Sequence, residues 1–280
     1  EGVIARFLGA QDHAVSSFGI GLNHLTFLTR LFYKGENAVP AIHVRLAEQK
    51  ASLDREIADK DVWANIVTGR APRYSDDPFS WGLFEKYSIF PCAMDRHAVE
   101  FFPEQFPGGT YNGRKLGREA FPIDERIALG DQWFDKMLKI AHSDDPLPTS
   151  YYDNVPGESE QLLEIIHSLL RDERKVFSVN LPNEGQAPYL TSGAIVECNA
   201  SAVGGGFAAL SADPLPPELV AKLNAKIASI EITVDAALKG DRDLMLEALL
   251  ADGGVNDRDI ARSLRDDLIE AHRIHLPQFA

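Results

Sequence analysis

The chain has 280 residues, of which 45% are hydrophobic, enough for one large globular domain or two small ones. Its formal net charge of −14, from 28 basic and 42 acidic residues, opposes contact with a phosphate backbone and excludes a typical nucleic-acid binder. No apolar run approaches the roughly 18 residues of a membrane span, and the N-terminus lacks the pattern of a secretory signal, so we expect a soluble cytoplasmic protein.

The N-terminal third predicts a short helix followed by β structure. The segment EGVIARFLGA is typical of the later part of an amphipathic helix that ends near Gly9, and it has no cap, so we expect the chain to begin inside a longer protein. Residues 18–33 are rich in Phe, Ile, Leu, Thr and Tyr, and the turn Lys34-Gly35-Glu36-Asn37 follows them, a pattern that indicates a strand and hairpin. GLNHLTF therefore lies on a strand or at its end. A helix with a charged, solvated face is predicted for about 39–67.

The middle of the chain predicts an irregular segment, then two helices. Residues 68–122 are rich in Gly, Pro and aromatic residues, and long irregular segments inside compact domains tend to carry binding or catalytic residues. Helices are predicted for about 123–142 and through ESEQLLEIIHSLLRD, with the loop SDDPLPTSYYDNVPG between them. We therefore expect the binding or catalytic residues in the irregular segment, and we expect the two helices to be structural.

The C-terminal part predicts a pair of strands and then helices. Residues 175–181 and 193–199 are two β-rich runs that could pair antiparallel. One helix carries a buried stripe and ends at Gly240, and Asp241 can cap the next helix. The stripe residues are Leu219, Leu223, Ile227, Ile230, Val234 and Leu238, and a final helix carries Ile260, Leu264 and Leu268. This order predicts an α+β fold over 1–280, with a mixed or antiparallel sheet and packed helices.

Strong short motifs are absent from the sequence. Residues 204–209, GGGFAA, formally match a dinucleotide fingerprint, but Pro214, Pro216 and Pro217 follow closely and no βαβ unit continues from them. There is no P-loop, HExxH, GxSxG or EF-hand loop. The two cysteines, Cys92 and Cys198, have no CxxC partner or ligand cluster, and we expect both to be small apolar residues in the interior.

Two weaker groups of polar residues remain. Asn23 and His24 lie in a β-rich apolar run, where a single histidine is more often a hydrogen-bonded core residue than a metal ligand. Asp95, Arg96 and His97 lie between two apolar segments in FPCAMDRHAVEFFPE. The residues alone fit a helix start with Asp95 as N-cap, a solvated bend or a functional site.

Five segments in register resemble the C-terminal part of glycoside hydrolase family four. They are GLNHLTF, YSIFPCAMDRHAVEFFPE, FSVNLPNEGQAPYLTSGAIVECNA, DPLPPELVAKL and AALKGDRDLMLEALLAD, and the resemblance covers essentially the whole chain. The family contains α-glucosidases, α-galactosidases, α-galacturonidases and 6-phospho-glycosidases that depend on NAD and a divalent metal, usually Mn2+. Its members are commonly dimers or tetramers, and they resemble lactate and malate dehydrogenases in fold.

The resemblance implies an exception to two-carboxylate glycoside hydrolysis. NAD oxidises the C3 hydroxyl of the sugar, a base removes the acidified C2 proton, the glycosidic bond breaks by elimination, water adds, and the hydride returns to C3. The metal chelates the C2 and C3 oxygens as a Lewis acid. His24 matches the family's metal-ligating histidine, and Asn23 would lie beside the metal and the sugar.

The resemblance also assigns the second group. Asp95 falls where family members have a tyrosine or aspartate base, so the base role is carried to Asp95, and Arg96 and His97 would address substrate hydroxyls or a sugar carboxylate. DRH followed by EFFP looks closest to the galacturonidase and galactosidase members. Because Arg96 suits an acidic sugar, we rank an α-galacturonide above a neutral galactoside or glucoside.

The sequence departs from the family at its beginning. The family starts with a glycine-rich dinucleotide-binding domain and a metal-binding cysteine, and this sequence contains neither; Cys92 and Cys198 do not match that cysteine. The chain is therefore expected to be the C-terminal, substrate- and metal-binding part of such an enzyme, and incomplete for activity. Two alternatives stay open: a non-catalytic sugar-binding or oligomerisation domain, and part of a 2-hydroxyacid dehydrogenase.

Overall fold

The computed structural model describes residues 2–11, 14–48, 77–93, 95–111, 114–116, 123–147 and 161–279. Three sequence expectations therefore fall partly or wholly outside the described residues. These are the 49–67 part of the predicted helix, the start of the irregular segment at 68–76, and most of the predicted loop before the ESEQLLEIIHSLLRD helix.

An antiparallel sheet organises the described residues. Its main strands follow the order β3-β2-β1-β8-β7, with β4 added to β2 and β9 added to β8. These strands are β1 (Val15–Leu22), β2 (Leu25–Tyr33), β3 (Glu36–Asn37), β4 (Phe90–Pro91), β7 (Val176–Pro182), β8 (Ile195–Val203) and β9 (Gly206–Ala209), while β5 (Thr110–Tyr111) and β6 (Arg114–Lys115) form a separate hairpin. The predicted pairing of the two later β runs is confirmed, because β7 pairs with β8 from Val176↔Ser201 to Pro182↔Ile195.

Helices precede, interrupt and follow the strands. They are α1 (Gly2–Leu8), α2 (39–48 within the described residues), α3 (Pro78–Tyr87), α4 (Asp95–Ala98), α5 (Ile123–Ala141), α6 (Leu162–Arg171), α7 (Pro217–Lys239), α8 (Arg242–Asp252) and α9 (Arg258–Ala271). The predicted cap is confirmed, since the Asp241 carboxylate accepts hydrogen bonds from the amides of Asp243 and Leu244. The antiparallel sheet and the helices together confirm the expected α+β fold. The "irregular" segment, however, contains α3, which begins with Pro78 at its first position.

The predicted strand at 18–33 is two strands. β1 and β2 form a hairpin in which Leu22 pairs with Leu25, so Asn23 and His24 are its two-residue turn. This turn is not predicted from the sequence, because the segment lacks the Asn-Gly or Asp-Gly pair that usually marks one. The expected turn at Lys34-Gly35 is present, between Tyr33 and its partner Glu36.

The largest core cluster lies between the sheet and α7. Ile20, Phe27 and Val196 of the sheet meet Leu219 and Leu223 of α7, and all are at most 2% exposed. Burial of each such side chain stabilises the fold by roughly 2 kcal/mol. A second cluster, on α1, α2 and α3, includes Ile4, Phe7, Ile42, Trp81 and Phe84.

The predicted stripe on α7 is only half correct. Leu219, Leu223 and Ile227 are buried, but Ile230 is 49%, Val234 48% and Leu238 80% exposed. The C-terminal half of α7 instead turns Ser229 and Ala236 inward, and the Ser229 hydroxyl donates to the Ala248 carbonyl of α8. The partner of this half is therefore α8 and not the sheet.

Three further observations concern surfaces. Cys198 is buried as expected, but Cys92 is exposed, because it follows the last residue of the short edge strand β4. On α5 the side chains of Trp133 and Phe134 are 57% and 62% exposed. Within the described part of the chain, no helix has the length and apolar character needed to cross a bilayer.

Candidate functional site

The turn of the β1–β2 hairpin carries the first candidate residues. Asn23 and His24 are exposed, whereas the flanking Leu22 and Leu25 are 8% and 1% exposed. His24 has a φ of 62°, a left-handed conformation that costs a non-glycine residue roughly 1 kcal/mol. The core-histidine alternative is therefore wrong, since the imidazole projects from the end of the sheet.

A second histidine meets the first from a separate element. His97 lies on α4, and its ring centroid is 4.3 Å from that of His24, with the two planes tilted by 30°. Glu100, one helical turn further on, lies in the same region. Burial raises the pKa of the Glu100 carboxyl, and the charges of His24 and Lys226 oppose that rise. Sequence reasoning missed Glu100 because no motif connects it to the hairpin turn.

The hairpin turn rests on a buried polar contact. The hydroxyl of Thr26 lies 2.8 Å from Oε2 of Glu197 and 3.0 Å from the carbonyl of Leu22, and Thr26 is 3% exposed. The Ser178 hydroxyl donates to the other oxygen of the same carboxylate, at 3.1 Å. Glu197 thus ties the base of the β1–β2 hairpin to β7 and β8. Sequence reasoning did not single it out, since the acid lies inside a strand pattern.

Asp95 is buried, unlike the exposed turn residues Asn23 and His24. It is 1% exposed, and its Oδ2 and Oδ1 accept hydrogen bonds from the amides of Phe79 at 2.7 Å and Ser80 at 2.8 Å. The hydroxyl of Ser80 donates to Oδ1 at 2.5 Å, and that of Tyr111 donates to Oδ2. The carboxyl therefore satisfies the first turn of α3, where backbone amides have no partner within the helix.

The capping is reciprocal. Oδ1 of Asp77, the residue before α3, accepts a hydrogen bond of 2.9 Å from the amide of Asp95, the first residue of α4. Asp95 thus begins α4, as one sequence alternative expected, but its carboxylate caps α3 and not its own helix. Burial raises the pKa of the Asp95 carboxyl, against the lowering effect of its hydrogen bonds.

The remaining predicted residue is Arg96. It lies on α4 between Asp95 and His97, and its side chain is outside the described set of atoms. The backbone alone brings the predicted pair Arg96 and His97 to the same short helix beside the turn at Asn23 and His24.

The imidazole of His24 suits a divalent first-row metal, because imidazole is a common ligand of such ions and this one is exposed. Among the described residues, no group of three or more His, Cys, Asp or Glu side chains could hold a metal ion. His24 is therefore compatible with one ligand position, and a shell of three or more such protein ligands would need at least one from outside the described residues.

The glycine-rich run does not form a dinucleotide site. Val203 pairs with Gly206, so Gly204 and Gly205 are the turn of the β8–β9 hairpin, and strand β9 follows in place of a helix. The sequence-based rejection of the fingerprint is confirmed. The run from Gly204 to Ala209 thus does not form the strand–turn–helix cradle that the pyrophosphate of NAD needs.

The family of the chain follows from its match to a known domain. Residues 19–255 match the family model described as the family 4 glycosyl hydrolase C-terminal domain. The chain belongs to this family. The predicted resemblance is confirmed, and the matched range contains the hairpin turn, α3, α4 and the helix α7.

Relatives in this family include α-galacturonidases. The chain is 25% identical to that of Thermoanaerobacter italicus over 236 residues, covering 83% of this chain and 49% of the relative. It is 28% identical to that of Lachnoclostridium phytofermentans over 272 residues, covering 92% and 54%. This family 4 domain therefore spans about half the length of the curated relatives it matches.

Solved structures show the same fold. The lplD protein of Bacillus subtilis, described as a glucosidase, is 25% identical with a TM-score of 0.70, covering 95% of this chain and 58% of that one. The 6-phospho-β-glucosidase of Thermotoga maritima, solved with NAD and glucose-6-phosphate, is 19% identical with a TM-score of 0.65, covering 98% and 58%. The rest of the lplD chain has no counterpart in this match.

Proposed function

We propose that this family 4 domain is the substrate- and metal-binding part of an α-glycosidase that cleaves α-galacturonides with NAD and a divalent metal. The observation that carries the proposal is the meeting of His24 and His97, whose rings are 4.3 Å apart, at the exposed end of the sheet. Membership of a glycosidase family supplies the reaction class. The names of the two α-galacturonidase relatives support the choice of sugar.

His24 is the proposed metal ligand in this reaction. When bound, NAD supplies oxidation and reduction at C3 of the sugar, and Mn2+ supplies Lewis-acid stabilisation of the charge that develops at its oxygens. His97 and Asn23 would bind hydroxyl groups of the same sugar, and Arg96 would bind its carboxylate in a charge-assisted contact. The left-handed turn holds the His24 imidazole at the tip, where a ligand can reach it.

Asp95 is the proposed base for the C2 proton, and its surroundings set a condition on that role. A base must come within hydrogen-bond reach of the proton that it removes. Both oxygens of Asp95 are occupied by donors from α3 and Tyr111. The carboxyl would have to exchange at least one of these donors for the substrate, and its raised pKa makes it a stronger base than an ordinary aspartate.

The alternative function is a non-catalytic sugar-binding or oligomerisation domain. It is favoured by the observation that no group of three or more His, Cys, Asp or Glu side chains among the described residues could hold a metal ion. Under either proposal the partner is a small carbohydrate and the setting cytoplasmic, with a homodimer or homotetramer as the proposed assembly.

The deciding experiment measures aglycone release by this chain and by the complete product of its gene. The substrates are p-nitrophenyl α-galacturonide, α-galactoside and α-glucoside, each with and without NAD and Mn2+. We expect the galacturonide to be cleaved fastest by the complete product, and only with both cofactors present. Sugar binding without cleavage under every combination would select the non-catalytic alternative.

Asp95→Asn in the complete product tests the base. The amide keeps one acceptor oxygen for the α3 amides but cannot take up a proton, so we expect turnover and C2 proton exchange to fall by at least about 100-fold. Ser80→Ala is the matched control, because it removes one donor to the same carboxyl. An Asp95→Asn enzyme that keeps wild-type turnover would leave Asp95 a capping residue only.

A further inference from the structure

Two lysines of α7 contact the segment that follows His97. Lys222 and Lys226 are one helical turn apart and therefore lie on the same face of α7. Their side chains are only 22% and 15% exposed, unusually low for lysine on the surface of a domain. Neither residue belongs to the groups singled out in the sequence.

Each lysine covers one of two consecutive aromatic rings. The ammonium of Lys222 lies 4.8 Å from the ring centroid of Phe102, and that of Lys226 lies 5.3 Å from that of Phe101. Both distances are within the range of a cation–π contact. Phe102 is 3% exposed and belongs to the core cluster that includes α7, so the contact fixes the segment at its buried side.

Ion pairs fix both ammonium groups. Lys222 donates to both carboxylate oxygens of Glu104, at 2.8 and 2.9 Å. Lys226 pairs with Asp252, the last residue of α8. The charge of Lys226 also acts on Glu100, the residue in the region of His24. The two cations thus link the 100–104 stretch to α7 and α8.

His97 consequently lies between two anchored points. On its N-terminal side the Asp95 carboxylate is bound to the amides of α3. On its C-terminal side the stretch from Glu100 to Glu104 is bound to α7. The short helix α4 has four residues and little stability of its own, so its orientation depends on these anchors.

We propose that Lys222 and Lys226 are positioning residues that hold the His97 ring in its contact with His24. The lysines do not touch the sugar; they fix the backbone that carries His97. The catalytic consequence rests on the proposed function, whereas the effect on the histidine pair does not.

The test compares variants of this chain by NMR of its histidine rings. Lys222→Met and Lys226→Met keep the aliphatic stem over each phenylalanine but remove the charge, and they are made singly and together. Lys222→Arg keeps the charge and the pair with Glu104. The control is Lys239→Met on the same helix, where the lysine is 57% exposed and paired with Asp235.

The measured quantity is the nuclear Overhauser effect between the ring protons of His24 and His97, assigned with His24→Gln and His97→Gln. We expect its loss in the double variant, weakening in each single Met variant, and wild-type intensity in Lys222→Arg and Lys239→Met. Backbone amide shifts of β7 and β8 report whether the fold is intact, and the single variants serve if the double variant does not fold. Wild-type intensity in folded Lys222→Met and Lys226→Met would overturn the proposal.

A kinetic readout separates this proposal from the proposed function. In the complete gene product we expect the Met variants to raise KM for the glycoside more than they lower kcat, with recovery in Lys222→Arg. A complete product that cleaves no glycoside would overturn the function while leaving the ring contact testable. Unchanged KM together with an intact ring contact would overturn the positioning role alone.

Discussion

Two hairpins of the same sheet use their turns in opposite ways. The β8–β9 turn is Gly204-Gly205, and a Cβ added at Gly205 would meet nothing within 4 Å. The β1–β2 turn has no glycine in its two positions and holds His24 at a φ of 62°. The nearest glycine is Gly21, which comes just before Leu22 of the pair Leu22–Leu25 that closes the turn. A Cβ added at Gly21 would lie 2.2 Å from the carbonyl oxygen of Leu25.

The difference separates a turn that only connects strands from one that presents a side chain. In β8–β9 the two turn residues carry no side chain, and the GGG run therefore marks a loop that only joins the strands. In β1–β2 the close approach at Gly21 brings the two backbones together, and His24 accepts a strained backbone conformation at the tip. Substitutions at Gly21 and His24 test this contrast and are expected to have the largest and the smallest effects on stability, with those at Asp95 between them.

The largest effect is expected from Gly21→Ala. The new methyl group would overlap the backbone of Leu25 and Thr26, so the hairpin must open, at a cost of about 3 kcal/mol in the free energy of unfolding. Urea unfolding followed by circular dichroism measures the change. The matched control is Gly205→Ala, expected within about 0.5 kcal/mol of wild type. Equal losses in the two variants would contradict the contrast between the hairpins.

Asp95→Ala is expected to cost about 2 kcal/mol, because it leaves the first-turn amides of α3 without their acceptor. Asp95→Asn should cost less, since one acceptor oxygen remains. The same urea titration, read through the near-ultraviolet signal of Trp81 on α3, measures both. A larger loss in Asp95→Asn than in Asp95→Ala would contradict the capping role.

The pH dependence of Asp95 has a definite sign. The folded pKa is raised above its usual 3.8, so the folded state holds the proton more tightly than the unfolded state does. The resulting stability is present below pH 3.8 and is lost as the pH rises through the folded pKa. Tyr111 is a titratable side chain in contact with the carboxyl, and its hydroxyl donates to Oδ2. We expect the advantage of wild type over Asp95→Asn to shrink as the pH rises above 3.8, measured by the same urea titration at a series of pH values.

The smallest effect on stability is expected from His24→Gly. Glycine adopts a positive φ without strain, so the variant should be neutral or more stable by up to about 1 kcal/mol, while losing the ring contact with His97. Lys34→Gly is the matched control, since Lys34 has a φ of 52° in the next turn. Under the proposed function, only His24→Gly weakens Mn2+ binding in the complete product, measured by calorimetry.

Much of the fold could be predicted from the sequence because its signals are local. The β7–β8 pair, the helix at 123–141 and the cap at Asp241 each depend on residues that are neighbours in the chain. The turn at Asn23-His24 could not be predicted, because the glycine that permits it stands inside β1 and the turn itself carries no turn-forming glycine. The prediction for the C-terminal half of the α7 stripe was wrong, because that half packs against α8, which comes later in the sequence.

The sequence named candidate residues for the site but not their contacts. A resemblance named His24, Asp95 and His97, and the structure brings the two histidine rings together. The burial of Asp95 depends on α3, whose amides and Tyr111 approach from separate parts of the chain. Glu100 and the α7 lysines are invisible to motif reasoning, since single charged residues in amphipathic patterns usually face solvent.

The reciprocal capping by Asp77 and Asp95 has a consequence for hydrogen exchange. Each carboxylate holds an amide at the start of the other residue's helix, so neither first turn can open without exposing both. The amides of Phe79, Ser80 and Asp95 should then exchange with solvent deuterium through one shared opening, with a common rate and a common response to urea. This segment would open and close as a single unit, and the contact between His97 and His24 would be lost and restored with it.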